Sequence, residues 1–214
     1  MTAGDTAYWD DLFVERLIPS ALGLVLDAWD RIARPAGDEH EDVTSVHLYS
    51  AMKTGKDRQR HPFLIRYQDV EVDTDLGKAT GRKDIVFFPA NEEDIYFCLE
   101  AKRLNALVAG VRRSLAYEYV REGMQRFVDG KYSRHVRHGG MLGYVLDNDV
   151  DRAMDKVATA IHLHHQQLGM ESPGEMRASG VRPGDPHAKE THHKRQTDVA
   201  LFRIHHLFVP GGPG

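Results

Sequence analysis

The chain has 214 residues, 41% hydrophobic and 28% charged, with a formal net charge of −4, which allows one domain with a real core and excludes a globally basic nucleic-acid binder, though not a local basic face. Its longest apolar stretch, Leu17 to Leu26, is too short for a membrane span and contains Pro19, and its first residues, MTAGDTAYWDD, lack the basic-then-apolar pattern of a secretory signal. The single cysteine, Cys98, excludes an internal disulfide and fits a reducing compartment, so the expectation is a cytoplasmic protein without a membrane partner.

Apolar residues recur at three- and four-residue spacing from Trp9 to Ile32, which predicts a helix over 8–33, kinked or divided at Pro19 and ended by Pro35 and Gly37. A second helix is expected over 38–53, followed by a polar, basic loop. FLIRYQDVEV (63–72) reads as a strand and DTDLGKATG as a turn, and two further strands are expected over 82–88 and 94–103. Residues 104–129 read as a long helix weakened at Gly110 and Gly123. GGMLGYVLDND (139–149) reads as a short buried strand, 151–168 as an amphipathic helix, 169–190 as a long loop rich in Gly, Pro and Ser, and 198–209 as a closing strand. Three strands in a meander, then a helical crossover to a further strand, give an α/β fold with a mixed central sheet flanked by helices.

The stretch GRKDIVFFPANEEDIYFCLEAKRL (81–104) carries Asp84, Glu100 and Lys102 inside otherwise apolar strands. Side chains alternate along a strand, so Glu100 and Lys102 share one face with Tyr96 and Cys98, one pleat apart. If the preceding strand pairs as a hairpin, Asp84 reaches the same end of the sheet. Two carboxylates side by side repel unless a cation sits between them, and Mg²⁺ is the natural cation for oxygen ligands, with Mn²⁺ as a substitute. A lysine beside them is placed to orient or help deprotonate a water for attack on phosphorus. The rival assignment is an ion pair on a solvated sheet face. Against it, Ile85, Val86, Phe87 and Phe88 follow Asp84 without alternation, as in a strand buried on both faces.

An Asp opening one strand and Glu-x-Lys on the next, in an αβββαβ order, resembles the PD-(D/E)XK nuclease superfamily, whose fold is restriction-endonuclease-like. The resemblance spans 38–147, with 1–37 as an N-terminal helical segment and 148–214 as an added helix, loop and strand of the same single domain. It implies that Asp84 and Glu100 are the metal-binding acids, that the Ala101 carbonyl is a further metal ligand and that Lys102 is the catalytic lysine. Lys83 stands where the nominal motif has proline. Many members add a helical glutamate, a place Glu41 would fill. The competing reading of Glu41 is a capping box with Asp38, and Glu71 is a weaker accessory candidate. The resemblance further implies a Mg²⁺-dependent nuclease, with DNA as the expected substrate, a homodimer or a partner protein as expected company, and bacterial defence against foreign DNA as the setting. The alternatives are a catalytically silent nucleic-acid-binding or scaffold subunit that keeps the fold, and a zinc hydrolase built from histidines.

Arg121, Arg126, Lys131 and Arg134, interleaved with aromatics between Tyr117 and Tyr132, form a candidate face for a phosphate backbone. Among the 13 histidines, His162 and His165 lie one turn apart, whereas His205 and His206 are adjacent on a strand and must point to opposite faces. THHKR (191–195) places His193 and Arg195 as further candidates for a phosphate.

Overall fold

The apolar runs Ile85–Phe88 and Met141–Val145 do not alternate because the strands holding them are covered on both faces. The computed structural model describes residues 17–55, 61, 63–73, 77–89, 95–133, 136–195 and 201–212, with the backbone alone at Asp73 and Thr80. Helices α1 (Ile18–Trp29) and α2 (Glu41–Gly55) precede strands β1 (Phe63–Asp73), β2 (Lys78–Pro89) and β3 (Phe97–Leu104). A small hairpin follows, β4 (Ala106–Val108) with β5 (Val111–Arg113), and then a composite helix: α3 (Ala116–Glu118), a π-helical segment (Tyr119–Met124) and α4 (Gln125–Val128). Next come β6 (His138–Val145), α5 (Val150–His164), β7 (Arg177–Ala178), β8 (Ala188–His193) and β9 (Phe202–Pro210).

The seven-stranded sheet runs β1-β2-β3-β6-β9-β8-β7. Strands β3, β6 and β9 are mutually parallel and the remaining neighbours antiparallel, so the expected α/β class with a mixed sheet holds. One face packs against α1 and α2 through Ile18, Leu22, Val25, Leu48 and Met52. The other packs against the composite helix and α5 through Tyr119, Met124, Phe127, Val157 and Ile161. Trp29 stacks on Tyr144 at 5.2 Å between ring centroids and donates its indole N–H to the Pro210 carbonyl, which ties α1 to the last strand.

Two expectations need correction. Residues 104–129 are not one helix. Ala109 and Gly110 both adopt positive φ, which turns the chain between Val108 and Val111 into the β4–β5 hairpin, and the helix begins only at Ala116. The supposed loop over 169–190 contains β7 and the start of β8, which pairs with β9 through Thr191↔Ile204 and Glu190↔His205. Pro19 lies in the first turn of α1, where its missing N–H costs no helix bond. The part of the expected first helix before Leu17 lies outside the described residues.

A buried polar chain locks the π-helical segment to β8 and β9. His193 Nδ1 faces the Leu168 carbonyl, so that nitrogen carries the proton and Nε2 accepts from Thr191. Thr191 in turn accepts from His206 Nε2, and His206 Nδ1 accepts from the Tyr119 hydroxyl. Every proton in the chain has one acceptor only while both imidazoles are neutral. Burial pushes both below the ordinary 6.5, His193 to about 4 and His206 to about 3. The unfolded chain therefore binds more protons below pH 6.5, and this contribution to stability is present above that pH and lost as pH falls towards the folded values. Between pH 7 and pH 5 the wild type should lose about 2 kcal/mol more than His206→Gln in urea unfolding, since one buried imidazole no longer titrates. Equal losses would show that His206 takes up a proton without unfolding.

Candidate active site

Strand β3 is longer than its ladder with β2. The antiparallel pairs are Phe87↔Phe97, Val86↔Cys98 and Ile85↔Leu99, whereas the parallel ladder with β6 continues to Leu104↔Val145. Past Leu99, side chains take the place of the missing strand. The Ala101 N–H donates to Asp84 Oδ2 at 2.8 Å, and the Ala101 carbonyl accepts from Lys102 Nζ at 2.8 Å. The Arg103 N–H donates to Glu41 Oε2 at 3.1 Å. The splay of β2 from β3 thus explains why Asp84 and Glu41 are where they are: each satisfies a backbone N–H that would otherwise be unpaired.

It does not explain Glu100. This side chain is only 1% exposed. Its Oε1 takes Arg126 at 2.6 Å and Lys102 at 2.9 Å, while its Oε2 is buried with no hydrogen-bond partner. Burial, with the Asp84 carboxylate next in size, raises its pKa to about 7. Asp84 is also pushed up, mainly by burial, against the pull of the Ala101 N–H and Lys102. A carboxylate kept in such surroundings carries a desolvation cost that ordinary folding has no reason to retain.

The Lys102 ammonium donates to Glu41 Oε1 at 3.0 Å and to the Ala101 carbonyl, and pairs with Glu100 Oε1 at 2.9 Å. Burial works against its charge, but Glu100, Glu41 and Asp84 outweigh it and hold the ammonium well above its ordinary value. The capping-box reading of Glu41 is therefore overturned. Glu41 is the first residue of α2, both its oxygens are committed to β3, and it is Glu39 that accepts from the Thr44 hydroxyl, at 2.7 Å.

The composite helix closes the site from the other side. At Gly123, in the π-helical segment, an added Cβ would lie 2.4 Å from Met141 Cε and 3.6 Å from Lys102 Cγ, so the segment packs closely on the Met141 side chain, with the Lys102 stem in ordinary contact beside it. Arg126 bridges Glu100 and Tyr132, whose hydroxyl it reaches at 2.9 Å. Tyr132 donates to the Arg82 carbonyl at 2.6 Å, with its ring against Gly81, where a Cβ would meet it at 2.4 Å. Asp84, Glu100, Lys102, Glu41, Arg126 and Lys131 share the wall of one cleft of ≈370 Å³. The four residues expected from sequence to be catalytic are thus brought together.

The donors suit a hard divalent cation: two acid side chains with raised pKa values, one carrying an unpaired buried oxygen, beside a backbone carbonyl. Among the described residues no three His, Cys, Asp or Glu side chains form a ready metal cage, so the fit rests on Asp84, Glu100 and the Ala101 carbonyl. Comparisons with protein-family models, with curated proteins and with solved structures give no match. The geometry of the cleft carries the reading alone.

The remaining candidates divide. Lys131 lies on the cleft wall and is exposed, Arg121 is half-buried on the π-helical segment, and Arg134 lies outside the described residues. Arg126, grouped with them by sequence, lines the same cleft and is also a partner of Glu100, a role that a buried acid in search of a cation could have signalled. Tyr132, which positions it, went unrecognised. Glu71 stands apart: it holds the buried Lys83 ammonium at 2.5 Å and accepts from Tyr96. Asp69 adds a second carboxylate at 3.1 Å, and Lys83 lies over the Tyr96 ring. Lys83 is therefore the centre of a structural ion pair. Lys83→Met should cost about 3 kcal/mol of stability by stranding two acids, and leave divalent-ion affinity unchanged in calorimetry. A change in that affinity would make Lys83 part of the site.

Among the described residues the histidines do not form a second metal centre. His162 Nδ1 faces the Pro173 carbonyl, His165 Nδ1 faces the His162 carbonyl, and their rings stack. His193 is fully buried, and Arg195 donates to the carbonyls of Ser133 and Val136, so neither is presented to a phosphate.

Proposed function

We propose that this chain is a metal-dependent nuclease with a restriction-endonuclease-like fold, hydrolysing phosphodiester bonds of nucleic acid, with DNA as the substrate. The observation that carries the reading is the buried, unpartnered Oε2 of Glu100, next to Asp84 on the wall of an open cleft. Asp84, Glu100 and the Ala101 carbonyl would hold Mg²⁺, or Mn²⁺ in its place. When bound, such an ion polarises a phosphate and neutralises the charge that develops on it. Lys102, held as an ammonium, acts as a hydrogen-bond donor that orients the attacking water or the phosphate, rather than as a base. Glu41 keeps that ammonium in place. Arg121 and Lys131 extend the positive surface along which a phosphate backbone can lie.

No helix among the described residues is long and apolar enough to cross a membrane. The proposal includes a cytoplasmic setting in bacterial defence against foreign DNA, with a homodimer supplying the two sites that a double-strand cut needs, or a partner protein supplying targeting. The test is incubation of the purified protein with plasmid, linear duplex, single-stranded DNA and RNA, each with Mg²⁺, Mn²⁺, Ca²⁺ or EDTA. Cleavage of DNA with Mg²⁺ or Mn²⁺ alone is the expected result. Tight binding with no cleavage under any metal would favour a catalytically silent subunit.

A further inference from the structure

Two cations converge on one oxygen of Glu100, and they are not equivalent. Lys102 is 13% exposed and is held by Glu41 and the Ala101 carbonyl as well as by Glu100. Arg126 is 38% exposed in its side chain, while Glu100 beneath it is buried and cannot move out to follow. The arginine also has a second hold. The Tyr132 hydroxyl spends its proton on the Arg82 carbonyl and keeps a lone pair for the guanidinium. The Tyr132 ring itself is clamped between Gly81 and the edge-on ring of Phe127.

We propose that Arg126 is a resident counter-cation of Glu100 that a divalent ion displaces, and that the displaced guanidinium, still anchored on Tyr132, then contacts the scissile phosphate. This rests on the nuclease reading above. A divalent ion entering between Asp84 and Glu100 repels the guanidinium and takes over its electrostatic function. The five-donor fork of arginine then faces the cleft, where it suits two phosphate oxygens at once. Arg126 is in this account a catalytic residue, and Tyr132 a positioning residue acting through it. The arrangement couples the site's two states: the acids are charge-balanced before the ion arrives, and the phosphate-binding cation is released by its arrival.

The signature is that metal affinity and turnover move in opposite directions. Ca²⁺ is titrated calorimetrically into the wild type and Arg126→Met, and single-turnover cleavage is measured with Mg²⁺. The variant should bind Ca²⁺ about tenfold more tightly, because a competing positive charge is gone, and cleave at least about tenfold more slowly. Tyr132→Phe, which keeps the charge at Glu100 but loosens the anchor, should bind Ca²⁺ as the wild type does and cleave more slowly. If Arg126→Met does not fold, Arg126→Gln, which keeps donors but not charge, carries the same expectation. Unchanged or weaker Ca²⁺ binding in a folded variant overturns the proposal and leaves the nuclease reading standing. Absence of divalent-ion binding in both wild type and variant overturns the two together.

Discussion

Asp84→Asn and Glu100→Gln should each reduce Mg²⁺-dependent cleavage by a factor of about 10³ or more while leaving the protein folded. The two halves of this expectation come from the same hydrogen bonds. In Asp84→Asn an amide oxygen remains to accept from the Ala101 N–H, so the splayed edge of β3 stays satisfied. In Glu100→Gln the substitution removes a charge that is 1% exposed, has an oxygen without a partner and is raised to about 7 mainly by burial. Losing that charge relieves a desolvation cost, and the side chain keeps an oxygen for Lys102 and Arg126. The unfolding midpoint of Glu100→Gln should therefore be no lower than that of the wild type at pH 7. The sign follows from linkage. A folded pKa raised above 4.5 contributes stability that is present below that value and lost as pH rises through about 7. A stable, fully active Glu100→Gln protein would remove the acid from the mechanism. A grossly destabilised one would make it a structural counter-ion for Lys102 and Arg126.

Lys102→Met should lower the single-turnover rate by a factor of about 10² or more, with substrate affinity close to that of the wild type and divalent-ion affinity no weaker, since one of the two cations on Glu100 Oε1 is gone. Methionine keeps most of the stem beside Gly123 and deletes an ammonium that holds Glu41, Glu100 and the Ala101 carbonyl. Lys102→Arg tests geometry with charge retained: the guanidinium is planar and larger than the ammonium it replaces among Glu41, Glu100 and the Ala101 carbonyl. Both variants should therefore be slow. If Lys102 were only an ion-pair partner on the sheet, both would cleave at the wild-type rate and lose some stability. Single-turnover rates read beside metal titrations distinguish these outcomes.

The candidate site was legible in the sequence to the extent that it obeys local rules. Strand alternation put Glu100 and Lys102 on one face, and the hairpin brought Asp84 to them, because period-two geometry needs no tertiary information. Glu41 was visible only as one of two possibilities, since a carboxylate at the start of a helix caps it by default, and only the free Arg103 N–H decides otherwise. Arg126 was legible only as one of a basic face, not as the partner of Glu100, and Tyr132 not as a site residue. Their roles depend on the π-helical segment, which sets the face the helix turns to β3, and no spacing rule anticipates that inserted register. The β4–β5 hairpin was signalled by Gly110 between β-branched residues and was lost to the helical pattern that follows it. Strand β8 was missed because AKETHH buries polar side chains: Thr191 and His193 sit inside the sheet as members of a satisfied chain, so their burial leaves no apolar trace.

The central claim is that Asp84 and Glu100 hold a divalent ion without which no phosphodiester bond is cut. The most direct measurement is cleavage of a plasmid by the wild-type protein stripped with EDTA and then given Mg²⁺ stepwise, beside Asp84→Asn under the same conditions. The account predicts no cleavage in EDTA, saturable recovery with Mg²⁺ in the wild type and none in the variant. Full cleavage in EDTA, or equal recovery in Asp84→Asn, would contradict it.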